Sequence, residues 1–533
     1  MLLHLLAALS VAPFLAAAQA TVETTVGTVK GRLAPWPASS NVSEYLGIPY
    51  AEPPIGKLRF AAPQPFKGKG PIAGTDFGAG CIQGLDPNSA NTEGTDFGVL
   101  GYGEGMGGVK GRNYSEDCLT LNIWTKPEGG EKSKAVLVWI YGGAFGAGDT
   151  AAPFYNGARF AAEQDVIVAS INYRLNVFGF PAAPGLQDVN LGLLDQRLAI
   201  EWLRDNIAKF GGDPKRMTLF GESAGGASVD YYTYAWTKDP IINSFIAQSG
   251  VTGAIPVTPA NNPNWWTLTE KAGCGGKPNG LRTVDCMRDL PALDIQKALT
   301  SAAGPMALTF FGPTVDNKVV FNDYAVRRKA GNFIKRPFIA GNTDHEAGLL
   351  TGLGLGTLRG VKKNGGIPGA YAEELIKYVN SYRYSNGTFG SILSSLMPLI
   401  DSSIGCASSS AVSARRAQGI PAWRYLWMGT WPNQAIYPDI GAYHSIDCPI
   451  VFGTVERNDK QGKNTPEEEK FVKNVMTAWA TFAKDSEKGL VGLGWPLYDN
   501  KGTTLVRLGY QNQSTPSFGS VPEYDRLCPL IGL

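Results

Sequence analysis

Short apolar runs recur along the chain, each followed by a glycine-rich or polar connector and often by a longer amphipathic stretch. Residues 134–141 (KAVLVWIY) and 165–173 (DVIVASINY) are almost unbroken apolar runs. A strand covered on both faces reads this way, because neither face meets water. Residues 193–210 follow with apolar positions at helical spacing. Residues 216–221, 244–249, 336–341 and 423–428 read as further short strands. Strands alternating with helices predict an α/β chain, with a mostly parallel central sheet and helices on both faces. Near the C-terminus, Thr465-Pro466-Glu467-Glu468 predicts a helix start with a capping box between Thr465 and Glu468. Phe471, Val472, Val475, Met476, Trp479 and Phe482 then line one helical face, which predicts core.

Gly221-Glu222-Ser223-Ala224-Gly225 stands between the strand-like RMTLFG and a plausible helix start. A sharp strand-to-helix turn lifts a serine hydroxyl out of a sheet, and the glycines leave room for it. Ser223 is therefore a candidate nucleophile, with Ala224 N–H at a helix N-terminus where an oxyanion would be held. Such a serine needs a base, and the chain has only three histidines: His4, His345 and His444. His4 lies in the first twenty residues and His345 adjoins Glu346, so the loop-like surroundings of His444 favour it as the base. The acid is expected between Ser223 and His444, and Asp316, Asp344 and Glu346 are candidates that order alone does not separate. The glycine-rich Tyr141-Gly142-Gly143-Ala144-Phe145-Gly146 follows a predicted strand, where further oxyanion donors would arise.

Composition narrows the setting. The 533 residues are 44% apolar and 18% charged, ample for a core, with a net charge of +2. That charge gives no electrostatic reason to expect nucleic acid or an anionic membrane as partner. Residues 1–20 form a short apolar stretch ending in Ala18-Gln19-Ala20, which reads as a signal peptide. No later run is long enough to predict a transmembrane helix. Four sequons, at Asn41, Asn113, Asn386 and Asn512, and seven cysteines fit an oxidising, extracellular compartment. No repeat or linker divides the remainder, so residues 21–533 are expected to form a single large catalytic domain. No cofactor or metal is expected, since no metal-ligand spacing is present.

The segments GIPYAEPPIGKLRF (47–60), EDCLTLNIW (116–124), WIYGGAFGAG (139–148), INYRLNVFGF (171–180) and FGGDPKRMTLFGESAGG (210–226) resemble the type-B carboxylesterase/lipase family. That family has the α/β-hydrolase fold and includes cholinesterases and fungal secreted lipases. The resemblance implies a secreted serine ester hydrolase with Ser223, Glu346 and His444 as triad. It implies the N–H groups of Gly143, Ala144 and Ala224 as oxyanion donors. It also implies disulfides Cys81–Cys118, Cys274–Cys286 and Cys406–Cys528, leaving Cys448 as a free, buried thiol. Glu346 stands in His-Glu-Ala where the family usually has Asp-Glu-Gly. Ala144 stands where many members have glycine, adding a methyl group beside the hole.

The expected partner is a small-molecule or lipid ester. In family lipases the first Cys loop forms a lid. Here it is rich in Gly, Asn and Asp, with Phe97, Val99, Leu100, Tyr102 and Met106 scattered through it. It reads as no strong amphipathic helix, which favours soluble esters over lipid droplets. It also holds no Trp, which argues against choline esters. Trp265 and Trp266 lie where the family builds part of its acyl pocket, and ordinary packing is the competing reading. Two alternatives remain open at this point: a lipase or sterol esterase, and a non-catalytic binding module on the same fold.

Overall fold

A computed structural model describes residues 21–84, 109, 111–126, 130–254, 257–258, 262–347, 388–435, 440–457 and 462–531, with backbone alone for 305–306, 388–400 and 530–531. The expected signal peptide (1–20), Asn386 and the loop residues Phe97, Val99, Leu100, Tyr102 and Met106 lie outside the described residues.

The sheet strands, in chain order, are β1 (Arg32–Leu33), β2 (Ser43–Pro49), β3 (Thr120–Thr125), β4 (Lys134–Ile140), β5 (Ile167–Ile171), β6 (Gly212–Glu222), β7 (Ser244–Gln248), β8 (Phe338–Thr343), β9 (Ala422–Trp427), β10 (Leu505–Leu508) and β11 (Ser517–Gly519). They pair in the spatial order β11-β10-β9-β8-β7-β6-β4-β5-β3-β2-β1. The run from β5 to β10 is parallel throughout. The flanking pairs β10–β11, β5–β3, β3–β2 and β2–β1 are antiparallel. Every residue of β4, β7, β8 and β9 is buried, as unbroken apolar runs require when both faces are covered.

The helices that matter for the site are α1 (Leu191–Asn206), α2 (Ala224–Ala235), α3 (Thr388–Ala417) and α4 (Pro466–Lys484). The helical run predicted over 193–210 is α1 followed by a 3₁₀ turn at Ile207–Phe210. At α4, Glu468 N–H donates to Thr465 Oγ1 and Thr465 N–H donates to Glu468 Oε2, each at 3.2 Å, closing the capping box. All six predicted face residues of α4 are buried. Trp139 on β4 ties sheet to outer layer, with ring centroids 4.8 Å from Phe220 on β6 and 5.0 Å from Phe452. Loops at the C-terminal ends of β4, β6 and β8, and the segment after β9, carry the candidate site residues.

Candidate active site

Ser223 falls between the last residue of β6 and the first of α2, at φ 55° and ψ −121°. A serine at positive φ is strained, and here neighbouring backbone leaves little alternative. Ser223 N–H donates to Gln248 O at the end of β7 (2.8 Å). Gly225 packs so closely that a Cβ on it would lie 2.0 Å from Ile140 O. A Cβ on Gly142 would lie 2.8 Å from Ser223 Cβ. Gly142 and Gly225 are thus required by close contact among the β4 loop, β6 and α2.

His444 comes from the loop after β9, and its Nδ1 hydrogen-bonds Glu346 Oε2. Glu346 follows β8 and is buried, and its other oxygen accepts the Thr343 N–H at 2.8 Å. The three acids left open by chain order are separated by what they touch. Asp316 Oδ1 accepts the N–H groups of Lys318, Val319 and Val320, holding a turn. Asp344 lies 3.4 Å from His345 Nδ1. His345 N–H donates to Ala442 O, so that histidine braces the backbone beside the His444 loop. Among the described residues Ser223 Oγ makes no hydrogen bond to His444. Serine–base contacts are often long in ligand-free sites and close when substrate arrives.

His444 Nε2 instead faces Glu222 Oε1 at 3.1 Å. Glu222 is the residue before Ser223, and it is buried. Ser445 Oγ donates to the same Glu222 oxygen at 2.6 Å. Burial pushes the Glu222 pKa up to about 7, against the lowering effect of His444. Burial alone would lower the His444 pKa, but the carboxylates of Glu222 and Glu346 outweigh it and raise it. Asp447 adds a third buried carboxyl, raised to about 6 by burial and fixed by Gln248 Nε2 (2.9 Å) and Tyr425 O–H (3.2 Å). Carboxylates at both ring nitrogens stabilise the charge that the imidazole acquires when it takes a proton in a transition state.

The loop after β4 brings Gly143 (φ 108°) and Ala144 (φ 55°) to a tight turn in which Gly143 O accepts Gly146 N–H (3.0 Å) and Ala147 N–H (2.9 Å). None of the N–H groups of Gly143, Ala144 and Ala224 donates to another group among the described residues. They remain available to an incoming oxygen.

A carboxylesterase family model matches residues 18–524. The chain belongs to the carboxylesterase family. Secreted lipase 5 of Gibberella zeae is 34% identical over 94% of this chain and 93% of its own length. Chlorogenic acid esterase of Aspergillus niger is 32% identical over 89% of this chain and 84% of its own. A solved PNB esterase superposes with a TM-score of 0.74 at 27% identity, covering 96% of this chain and 99% of that one. The carboxylesterase-family chain has the α/β-hydrolase fold and is a carboxylic-ester hydrolase, which sets aside the non-catalytic binding module.

Other expected features of this carboxylesterase fall as follows. Disulfides join Cys81 to Cys118, Cys274 to Cys286 and Cys406 to Cys528, and Cys448 is a buried free thiol whose pKa burial raises. Trp265 is fully buried and donates to Thr283 Oγ1 (3.0 Å), so it packs a satellite core, with Trp266 half-buried against the same cluster. Asn41 and Asn113 are exposed. Asn512 is engaged instead: its Oδ1 accepts Thr430 N–H (2.9 Å) and its Nδ2 donates to Thr430 O (2.7 Å). No helix among the described residues is long and apolar enough to cross a membrane, and no metal-binding cluster occurs among them. Sequence reasoning gave Glu222 no role. The available signal was a carboxylate just after the buried apolar stretch Met217–Phe220.

Proposed function

We propose that this chain is a secreted enzyme that cleaves soluble carboxylic esters through Ser223, His444 and Glu346, by way of an acyl-enzyme. The observation that carries the reading is Glu346 bonded to His444 beside the strained turn that presents Ser223. Neutral His444, turned from Glu222 toward Ser223, takes the hydroxyl proton as Oγ attacks the ester carbonyl. Glu346 holds the imidazole by Nδ1 and stabilises its charge. The N–H groups of Gly143, Ala144 and Ala224 receive the oxyanion. His444 then gives its proton to the departing alcohol. Water, deprotonated by the same nitrogen, releases the acid and restores Ser223.

Secretion is supported by the three disulfides, the apolar first twenty residues and the name of the Gibberella zeae relative. Residues 21–533 act as one catalytic domain, with glycans on the exposed Asn41 and Asn113. A lipase or sterol esterase is the second reading, because that relative is named a lipase. The test is turnover of p-nitrophenyl esters from acetate to palmitate, beside Ser223→Ala. A peak at short acyl chains that vanishes in the variant supports the proposal. A peak at palmitate, with a rate jump above the solubility limit, replaces it with the lipase. Undiminished turnover by Ser223→Ala overturns the nucleophile.

A further inference from the structure

The turn carrying Gly143 and Ala144 is costly in itself. Ala144 and Phe145 follow one another at φ 55° and 60°, a left-handed pair that non-glycine residues avoid. Something outside the turn must hold it. Three donors do so from one side. Asn176 N–H reaches Phe145 O (2.7 Å), Gly84 N–H reaches Gly146 O (2.7 Å), and Gln83 Nε2 reaches Gly148 O (3.2 Å). Two of these donors belong to residues 82–84, the stretch just past Cys81. That stretch is itself fastened. Asn176 Nδ2 donates to Ile82 O (2.7 Å), Gln296 Nε2 donates to Gln83 O (2.9 Å), and Cys81 is bonded to Cys118. The fit is close on both sides. A Cβ on Gly146 would lie 2.1 Å from Leu308 O, and one on Gly84 would lie 2.5 Å from Ala307 O.

Gln83 is the one of the three donors that acts through a side chain. It is buried to 1% exposure, and its Oε1 has no hydrogen-bond partner among the described residues. A buried amide with an unmet oxygen is unfavourable for stability alone. Its Nε2 nonetheless meets the Gly148 carbonyl, on the residue directly after the one whose N–H closes the oxyanion turn.

We propose that Gln83 is a positioning residue for ester hydrolysis: by holding Gly148 O it fixes the turn that aims the Gly143 and Ala144 N–H groups at the oxyanion. This rests on the reading of those N–H groups as oxyanion donors. Gln83 touches neither substrate nor Ser223. Its effect is confined to states in which the carbonyl oxygen bears charge. Ground-state binding of the ester does not need that alignment.

The test uses Gln83→Met, which keeps length and volume and removes the donor. Inhibition by an alkyl trifluoromethyl ketone, which adds the serine oxygen to its carbonyl and places an oxyanion in the hole, is compared with inhibition by the matching methyl ketone. The expected result is about a tenfold loss of kcat/KM on p-nitrophenyl butyrate and of trifluoromethyl ketone affinity, with methyl ketone affinity within about twofold. Equal losses for both ketones, or no loss for either, overturn the proposal. Should Gln83→Met fail to fold, Gln296→Met carries the test. It frees Gln83 O while leaving the Gln83 side chain, and about a threefold loss confined to the trifluoromethyl ketone is expected. Unchanged affinity there counts against the proposal. Active-site titration of wild type with a fluorophosphonate, absent in Ser223→Ala, checks the nucleophile separately. A failed titration therefore speaks against the triad, and a failed ketone contrast against Gln83.

Discussion

Around Ser223 the close neighbours are backbone atoms, whereas around His444 they are carboxylates. On the serine side, β4, β6 and α2 approach until a Cβ on Gly225 would sit 2.0 Å from Ile140 O, and the turn has no room to relax. On the histidine side, Glu346 and Glu222 flank the two ring nitrogens and Asp447 stands behind, all three buried. One half of the site is set by shape, and the other by charge. The two halves should therefore fail differently. Errors of shape should cost the fold, and errors of charge should cost rate or move its pH dependence.

The largest effect is expected on the shape side. Gly225→Ala pushes a methyl group into the Ile140 carbonyl, and neither strand nor helix can yield without losing core contacts. Secreted yield and thermal midpoint should both collapse. A variant with wild-type midpoint would break the contrast. Next comes Glu346→Gln, which keeps the shape of the pair with His444 but removes its charge and reverses one donor. A fall in kcat of about 10³–10⁴-fold is expected with the fold intact, read by steady-state kinetics beside circular dichroism. The smallest effect sharpens the charge side. The Glu222 charge raises the His444 pKa, so Glu222→Gln lowers it. The neutral base then persists to lower pH, and the acidic limb of the kcat/KM profile should move to lower pH. A limb that stays put or moves up would show that Glu222 does not act on His444 in the working enzyme.

Much of the shape side was legible in the chain. Unbroken apolar runs such as KAVLVWIY had to be strands buried on both faces, and the glycines around Ser223 marked a turn that admits no side chain. The Thr465–Glu468 cap was legible because its partners lie three residues apart. The charge side was far less so, because its contacts join distant residues. Glu346 meets His444 across 98 positions and Glu222 meets Ser445 across 223. From the residues alone Asp316, Asp344 and Glu346 were equivalent, and only the family resemblance chose among them. Gln83 gave no signal either, since its worth lies in a carbonyl 65 positions away. Asn512 reads as a sequon like the rest, yet both ends of its amide are taken by Thr430. The antiparallel strands β1, β2 and β11 carry mixed polarity and escaped the apolar pattern.

The most direct measurement on the central claim is peptide mass spectrometry of the active enzyme after complete inactivation by a fluorophosphonate. A single adduct on Ser223, formed at a rate that falls in Glu346→Gln, is the predicted result. An adduct on another serine, or full inactivation with Ser223 unmodified, would contradict the account.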